Sequence, residues 1–315
     1  MPLPRHAIVL TAGLGTRLDP LTRARAKPAI PVAGIPMIRR IAGWLTANGV
    51  TDLVLNLHHL PDTLTAVVGA GEDLGATVRY SWEPVVLGSA GGPKQAAPIL
   101  GAPRFFVVNG DTLTDVPLAE LSESHARSGA TVTLALVPNT EPLRYGGVLV
   151  DRDSRVSGFV PRGPRAEGSF HFIGVQIAER EAFESAPTAA PSQSIGGVYD
   201  KLLTQRPGAI GAFVSKASFW DVGTMADYVR MSLAFAASSA VDVSRGAGGK
   251  IAATARVTRS ILWDDVHVED GCTLDECIVT DGVRIPAGAS YNRVALVRPR
   301  GSRDVDELLI APITE

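Results

Sequence analysis

An uninterrupted apolar run, Ala7-Ile8-Val9-Leu10, passes straight into Thr11-Ala12-Gly13-Leu14-Gly15-Thr16-Arg17-Leu18, and this junction restricts the fold more than any other stretch. Apolar residues with no polar interruption predict a strand buried on both faces, as in the middle of a parallel sheet. The small-residue loop that follows lets backbone N–H groups approach a ligand, because glycine has no Cβ and reaches positive φ without cost. Arg17 adds a forked cation, and Lys27 a second cation on a flexible stem. A glycine loop and two cations off a central strand predict polyphosphate binding. A plain strand-to-loop turn with solvated charges reads the glycine spacing equally well. No Gly-Lys-Ser/Thr follows, so this is not a P-loop, and Pro20 comes too soon for the helix of a dinucleotide fingerprint.

The stretch continues as Pro20-Leu21-Thr22, Lys27-Pro28 and Pro31-Val32. Together with Gly13 and Gly15-Thr16-Arg17-Leu18 it resembles the signature of the sugar-1-phosphate nucleotidylyltransferases (NDP-sugar pyrophosphorylases). The resemblance implies that Leu10, Ala12, Gly13, Leu14, Gly15, Thr16 and Arg17 bind the nucleotide, and that Arg17 and Lys27 take part in catalysis.

The 315 residues suffice for one large domain or two unequal ones, and 45% hydrophobic with 20% charged content can bury a core. A formal net charge of −2 excludes neither enzyme nor binding module, but marks no nucleic-acid or membrane-surface binder. No apolar run approaches the roughly 20 residues of a membrane span. Met1 lies so near the first strand that no signal peptide is expected. Cys272 and Cys277 form no disulfide framework or metal-ligand set, so a reducing cytoplasm is expected.

Further along, Pro36 opens a helical pattern of Met37, Ile38, Ile41, Trp44 and Leu45, closed by Asn48-Gly49. Leu53 to Leu57 is the next strand, giving a strand–helix–strand crossover and a parallel sheet. His58 and His59 follow it and read as loop residues rather than ligands. A strand from Thr77 to Trp82 leads through Glu83-Pro84 to Leu87-Gly88-Ser89-Ala90-Gly91-Gly92 and a helix from about Pro93 to Ala97. The family resemblance places Glu83, Leu87, Gly88 and Ala90 against the nucleobase.

Phe105 to Val108 predicts another buried strand, ending in Asn109-Gly110-Asp111. A carboxylate at the carboxyl end of a central strand stands where open α/β sheets bind ligands, and offers the hard oxygen that Mg²⁺ takes. The family's Gly-Asp pair implies a nucleotide contact at Gly110 and a metal ligand and catalytic group at Asp111. Strands are expected over Thr131 to Val137, near Tyr145-Gly146-Gly147-Val148-Leu149-Val150, and at Val156 to Val160. Here the family pattern breaks. Relatives carry Glu-Lys-Pro where this chain has Pro161-Arg162-Gly163, and Asn-Ala-Gly where it has Phe172-Ile173-Gly174 after His171. Arg162 can replace the phosphate-binding cation; the carboxylate has no counterpart. Gly147, Arg162, His171, Gly174 and Lys201 are the candidate sugar-phosphate residues, with His171 equally readable as a satisfied sheet histidine. Ser194 to Leu203, carrying Lys201, reads as helical, and Ala209 to Val214 as a strand. Phe219-Trp220-Asp221-Val222-Gly223-Thr224 resembles the family's W-x-D-x-G-T motif with one residue fewer between Trp and Asp. That likeness implies Asp221 as the second metal ligand and catalytic residue, before a closing helix from Thr224 to Ala237.

Small residues between Ser238 and Lys250 predict a linker. Beyond it apolar residues recur at roughly five- to six-residue steps (Ile251, Val257, Ile261, Val266, Cys272, Cys277 or Ile278, Val283, Ala289, Val294), with Asp264-Asp265, Glu269-Asp270-Gly271 and Thr280-Asp281-Gly282 as turns. A hexad-like period of this kind predicts a short parallel β-helix, with the two cysteines inward as small apolar residues. A hexapeptide acyltransferase is a weaker alternative, since only His267 lies in this tail.

The expected fold is thus α/β: a Rossmann-like mixed, mostly parallel sheet flanked by helices over 1–240, then a linker and a short hexapeptide-type left-handed parallel β-helix over 241–315. The resemblance implies NDP-sugar and pyrophosphate made from a nucleoside triphosphate and a sugar 1-phosphate with Mg²⁺. Bacterial mannose-1-phosphate guanylyltransferases are the most similar members, so GTP and mannose 1-phosphate are the expected pair. A uridylyl- or thymidylyltransferase acting on glucose 1-phosphate or N-acetylmuramate 1-phosphate stays open. So does a non-catalytic nucleotide-sugar-sensing subunit, which the missing Glu-Lys favours and the intact Arg17, Lys27, Asp111 and Asp221 oppose. A homo-oligomer through the open-edged tail is expected, with no nucleic acid or membrane as partner.

Overall fold

The computed structural model describes residues 3–237, 243–302 and 307–314. Nine strands form the main sheet: β1 (His6–Leu10), β2 (Asp52–Leu57), β3 (Thr77–Trp82), β4 (Arg104–Asn109), β5 (Val132–Pro138), β6 (Gly147–Val150), β7 (Val156–Val160), β8 (Phe170–Glu179) and β9 (Ile210–Val214). The helices are α1 (Met37–Ala47), α2 (Pro61–Val68), α3 (Gly88–Leu100), α4 (Leu118–Ser128), α5 (Tyr199–Gln205) and α6 (Met225–Ala237). The residues divide into two compact units. One comprises Met1–Gly13, Ile41–His59 and Val68–Phe219; the other comprises Leu14–Arg40, Leu60–Val67 and Trp220–Glu315.

In the first unit the strand order is β7-β6-β8-β4-β1-β2-β3, with β5 beside β8 and β9 beside β5. The β3-β2-β1-β4 portion is parallel throughout, and its inner strands β2, β1 and β4 are buried and read as apolar runs, while β3 lies at the edge and is largely part-exposed. β8 runs antiparallel to β4 and β5, and β9 parallel to β5, which makes the whole sheet mixed. Ile8, Val54, Phe105, Val107, Leu134, Phe183 and Tyr199 lie in one core, each large apolar side chain contributing about 2 kcal/mol by leaving water. Tyr199 Oη, fully buried there, donates to Gln176 Oε1 at 2.8 Å, as a buried hydroxyl requires.

Two helix expectations change. α3 opens at Gly88 rather than near Pro93 and contains both Pro93 and Pro98. The stretch expected to be helical from Ser194 instead holds Ile195 extended (φ −79°, ψ 136°) and Gly196 at φ 78°, so α5 starts only at Tyr199. α2, α4 and β8 carried no expectation. Part of the expected linker, 238–242, lies outside the described residues. Its remainder is not linker: Ser244–Arg245 is already the first β-helix rung.

The second unit contains that β-helix. Each rung residue pairs in parallel with one 17 positions on: Ser244, Ile261, Ile278 and Ala295 on one face. Lys250, His267 and Arg284 form the second face, and Arg256, Thr273 and Ser290 the third. Two six-residue steps and one of five make the coil. One corner recurs at Arg259, Glu276 and Arg293, all with left-handed φ of 47°, 55° and 52°. Leu262, Val279, Leu296, Val268, Ile285 and Leu274 fill the interior with Cys272 and Cys277, both free and buried. Leu309–Pro312 folds back antiparallel onto Val294–Val297 and covers that edge of the last rung. The first face is also buried on its outside, at Ile261, Ile278 and Ala295, where α6 and the Leu21–Arg23 turn lie against it. Among the described residues no helix is long and apolar enough to cross a membrane.

Candidate active site

The parallel order β3-β2-β1-β4 reverses direction at the β1/β4 pair, and open α/β sheets bind ligands at the carboxyl ends flanking such a reversal. Leu10 pairs with Asn109 there, and Gly110 N donates to Leu10 O at 2.9 Å. A Cβ at Gly110 would stand 2.6 Å from Leu10 O and 2.8 Å from Thr11 Cγ2, so only glycine lets the two strand ends lie this close. Asp111, half-buried, follows directly. Gly174, at φ 74° where the β8 register shifts, faces Asn109: its Cβ would be 2.6 Å from Asn109 Nδ2.

A chain of buried hydrogen bonds ties this end of β1 to Leu87, the residue that caps the small-residue start of α3. Glu83 is fully buried. Its carboxylate accepts from Leu87 N at 2.8 Å and from Asn56 Nδ2 at 2.7 Å. Asn56 Oδ1 accepts from Thr11 N at 2.6 Å, and Thr11 Oγ1 donates to Asn56 O. A buried carboxylate is tolerable only with such donors. This corrects one expectation: Glu83 lies beneath the turn and shapes it, with no surface to offer a nucleobase. Leu87 and Ala90 are buried as well, while Gly88, at φ 78°, is partly exposed. The Ala90 and Gly91 amides are already engaged by Ser192 O, at 2.9 and 3.2 Å. Asn56 went unrecognised; its only sequence signal is a polar residue inside the apolar Leu53–Leu57 run. His58 stacks on Trp82 with ring centroids 6.3 Å apart, and its Nδ1 lies 2.8 Å from Glu83 O.

In the same unit, rings gather where the sugar-phosphate residues were expected. His171 lies 4.1 Å from the Tyr145 ring and 5.0 Å from Phe219, with Arg144 over Tyr145 at 5.0 Å. Burial pushes the His171 imidazole down to about 4; the Gly146 backbone opposes and Arg144 reinforces this shift. His171 is therefore a neutral aromatic wall near pH 7, not a cation for phosphate. Gly147 is buried, and a Cβ there would overlap Ser169 Oγ. Arg162 is exposed after β7, and Lys201 is exposed on α5.

In the second unit the signature segment wraps around Lys27, which is only 8% exposed. Gly15 adopts φ 64°, ψ 30°; its Cβ would be 2.7 Å from Thr22 Cγ2 and 3.1 Å from Lys27 Cβ, so the turn closes on the lysine stem. Leu14, Thr16 and Arg17 remain exposed. Arg17 and Asp221 come together at Gly223, whose Cβ would lie 3.1 Å from Arg17 Nη1 and 3.6 Å from Asp221 Oδ2. Asp227 Oδ2 would be 3.0 Å from the same Cβ and accepts from Thr224 N at 3.1 Å. Thr224 Oγ1 in turn accepts from Asp227 N at 3.1 Å, a reciprocal cap that starts α6 and sets the backbone after Asp221. Asp111 belongs to the first unit; Arg17, Lys27 and Asp221 belong to the second.

Among the described residues no three His, Cys, Asp or Glu side chains form a metal cluster. Asp111 and Asp221 offer hard carboxylate oxygens, and Mg²⁺ characteristically takes one or two carboxylates and fills its shell with phosphate oxygens and water. The donor chemistry fits.

A nucleotidyl transferase family model matches residues 6–238, and a GlmU-like C-terminal hexapeptide model, the signature of a left-handed β-helix, matches 234–298. The chain is 31% identical over 298 residues to a mannose-1-phosphate guanylyltransferase of Mycobacterium tuberculosis, covering 91% of this chain and 83% of that protein. It is 32% identical over 223 residues to a D-glycero-alpha-D-manno-heptose 1-phosphate guanylyltransferase of Aneurinibacillus thermoaerophilus, covering 71% and 95%. The crystal structure of HddC from Yersinia pseudotuberculosis complexed with GMP-PN superposes with a TM-score of 0.63 at 27% identity, covering 73% of this chain and 99% of that one.

Proposed function

Because this chain belongs to the nucleotidyl transferase family of sugar-1-phosphate nucleotidylyltransferases, we propose that it makes GDP-mannose and pyrophosphate from GTP and mannose 1-phosphate. GTP is supported by both guanylyltransferases it resembles, over 91% and 71% of its length, and mannose 1-phosphate by the first of them. A phosphate oxygen of mannose 1-phosphate attacks the GTP α-phosphorus in line. The new P–O bond forms as the bond to the bridging oxygen breaks, and pyrophosphate leaves. The nucleophile is already an anion, so the protein supplies position and charge rather than a base.

Arg17 and the backbone of Ala12 to Thr16 hold the triphosphate, together with Leu10 and Gly110, and Lys27 offsets charge near the α-phosphorus. Gly88 is the turn residue left to meet the guanine. Asp111 and Asp221 are the carboxylates assigned to Mg²⁺, which when bound neutralises phosphate charge. Tyr145, His171 and Phe219 form an apolar wall for the sugar beside Gly147 and Gly174; Arg162 and Lys201 are the cations available to its phosphate. The observation that supports this reading most is the approach of the Arg17 guanidinium and the Asp221 carboxylate to the same glycine, a fixed cation and a hard oxygen donor at one backbone position. The proposal extends to a domain boundary near residue 240, a cytoplasmic setting and a homo-oligomer through the β-helix.

Pyrophosphate release measured over a grid of nucleoside triphosphates and sugar 1-phosphates with Mg²⁺ tests the reading. Turnover is expected to be fastest with GTP and mannose 1-phosphate. A different preferred pair overturns the substrate assignment. No turnover with any pair overturns the reaction and favours a nucleotide-sugar-sensing subunit, the reading the absent Glu-Lys motif supports.

A further inference from the structure

The loop that carries Lys27 is anchored on the β-helix. Arg25, its side chain only 12% exposed, donates from Nε to Asp281 Oδ2 at 2.6 Å and from Nη2 to Asp281 Oδ1 at 2.7 Å. The same Nη2 reaches Asp264 Oδ2 at 2.5 Å, and the guanidinium lies over the Trp263 ring at 5.5 Å. Asp264 and Asp281 occupy the same place on successive coils, 17 positions apart, and Asp264 N donates to Asp281 Oδ1 at 3.1 Å. Two further contacts join the same parts. Trp263 Nε1 donates to Tyr228 Oη at 2.9 Å, and that hydroxyl donates to Pro31 O at 2.6 Å. Arg300 N donates to Arg23 O at 2.9 Å. Within 20–31, then, Arg23 and Arg25 before Lys27 are held directly by groups of the tail, and Pro31 after it is held by Tyr228 of α6, which Trp263 of the tail in turn fixes. Arg25 makes this anchorage directional, because a planar fork held by two carboxylates and an indole has one orientation.

Resting on the function proposed above, we infer that Arg25 is a positioning residue through which the β-helix places Lys27 for nucleotidyl transfer. The tail is then a working part of the active site and not only a surface for other subunits. Its two stacked aspartates set the loop, and the loop sets the ammonium. A displacement of the cation by about 1 Å is worth up to about 100-fold in rate.

The test uses full-length Arg25→Ala, Arg25→Lys, Asp264→Asn and Asp281→Asn, each also combined with Lys27→Met. Arg25→Ala is expected to lower kcat about 10- to 100-fold while the KM for GTP stays within about threefold, since binding energy held elsewhere is untouched. Asp281→Asn is expected to lower kcat in the same direction, Arg25→Lys to recover part of it, and neither Arg25→Ala nor Asp281→Asn to lower kcat further once Lys27 is methionine. Losses that multiply with Lys27→Met, or a kcat for Arg25→Ala within about twofold of wild type, overturn the inference. Should Arg25→Ala fail to fold, Asp264→Asn, which leaves the Arg25–Asp281 fork in place, carries the same comparison. Amide hydrogen exchange supplies a readout independent of turnover. Residues 26–30 are expected to exchange faster in Arg25→Ala or Asp281→Asn while α3 keeps the wild-type pattern, and unchanged exchange overturns the anchorage. A wild-type chain without turnover sinks the proposed reaction and leaves the exchange result to decide the anchorage by itself.

Discussion

Arg17 reaches the backbone of Gly223 so closely that a methyl group on the glycine would lie 3.1 Å from Nη1. Asp227 Oδ2, at 3.0 Å on another side, is held by the amide of Thr224, so the exposed arginine is the partner that yields. Gly223→Ala is therefore expected to leave the fold intact and turn Arg17 away from Asp221. The specific activity for pyrophosphate release should fall about 10- to 100-fold, the cost of a misplaced phosphate ligand. A thermal melt beside the rate assay checks it: an unchanged melt with an unchanged rate removes Arg17 from the site.

Asp111→Asn and Asp221→Asn exchange a carboxylate for an amide of the same shape. If these two groups serve Mg²⁺, each substitution should lower kcat by at least about 100-fold, the scale seen when one charge-stabilising group is lost. Neither should unfold the chain, since both side chains lie only part-buried. Rates measured across a magnesium titration provide the check. A near-normal rate for either variant takes that residue out of the metal role.

What was legible in this sequence was what is contiguous. β1, β2 and β4 are apolar runs with buried interiors, so hydropathy marks them, while the edge strand β3, with only Val78 and Ser81 buried, shows in its β-branched and aromatic residues. The segments carrying Arg17 and Asp221 stand out because their residues are near neighbours in the chain. The five- to six-residue rhythm of the tail was equally plain, and the 17-residue coil is its sum over three faces. Long-range polar links were not legible. Arg25 and Asp281 are 256 positions apart, and nothing near either one announces the other. Asn56 and Glu83 meet only because β2 and β3 lie side by side. α4 was missed because its exposed face, with Glu120, Glu123 and Arg127, dilutes the apolar period. The Ser194 segment was misread because Gly196-Gly197 permits a backbone that periodicity does not register.

The buried relay from Leu87 through Glu83 and Asn56 to Thr11 predicts a stability effect. Asn56→Leu keeps the volume roughly but removes the Nδ2 donor to Glu83 and the Oδ1 acceptor for Thr11 N. A fully buried carboxylate deprived of a donor should cost about 3 kcal/mol. Urea denaturation of the variant measures this directly. The turn at Gly88 should loosen as well, so the KM for the nucleotide is expected to rise. A loss of stability below about 1 kcal/mol would mean that water replaces the amide at Glu83.

His171 gives the stability a pH dependence with a definite sign. Burial holds its folded value at about 4, below the ordinary 6.5 of an exposed imidazole. Above the ordinary value both folded and unfolded chains are neutral at this position, and its contribution is fully present. As the pH falls from 6.5 toward 4, the unfolded chain takes up the proton and the folded chain does not, so stability is lost across that window, by an amount on the order of 3 kcal/mol. His125, lowered chiefly by burial and opposed by Glu179, acts in the same direction. His171→Phe keeps a ring against Tyr145 and Phe219 and removes only its own titration. Denaturation midpoints measured between about pH 8 and pH 4.5 should fall less steeply in the variant than in the wild type. Parallel curves would mean that His171 takes up its proton in the folded chain as readily as in the unfolded one, and that the ring cluster is open to water.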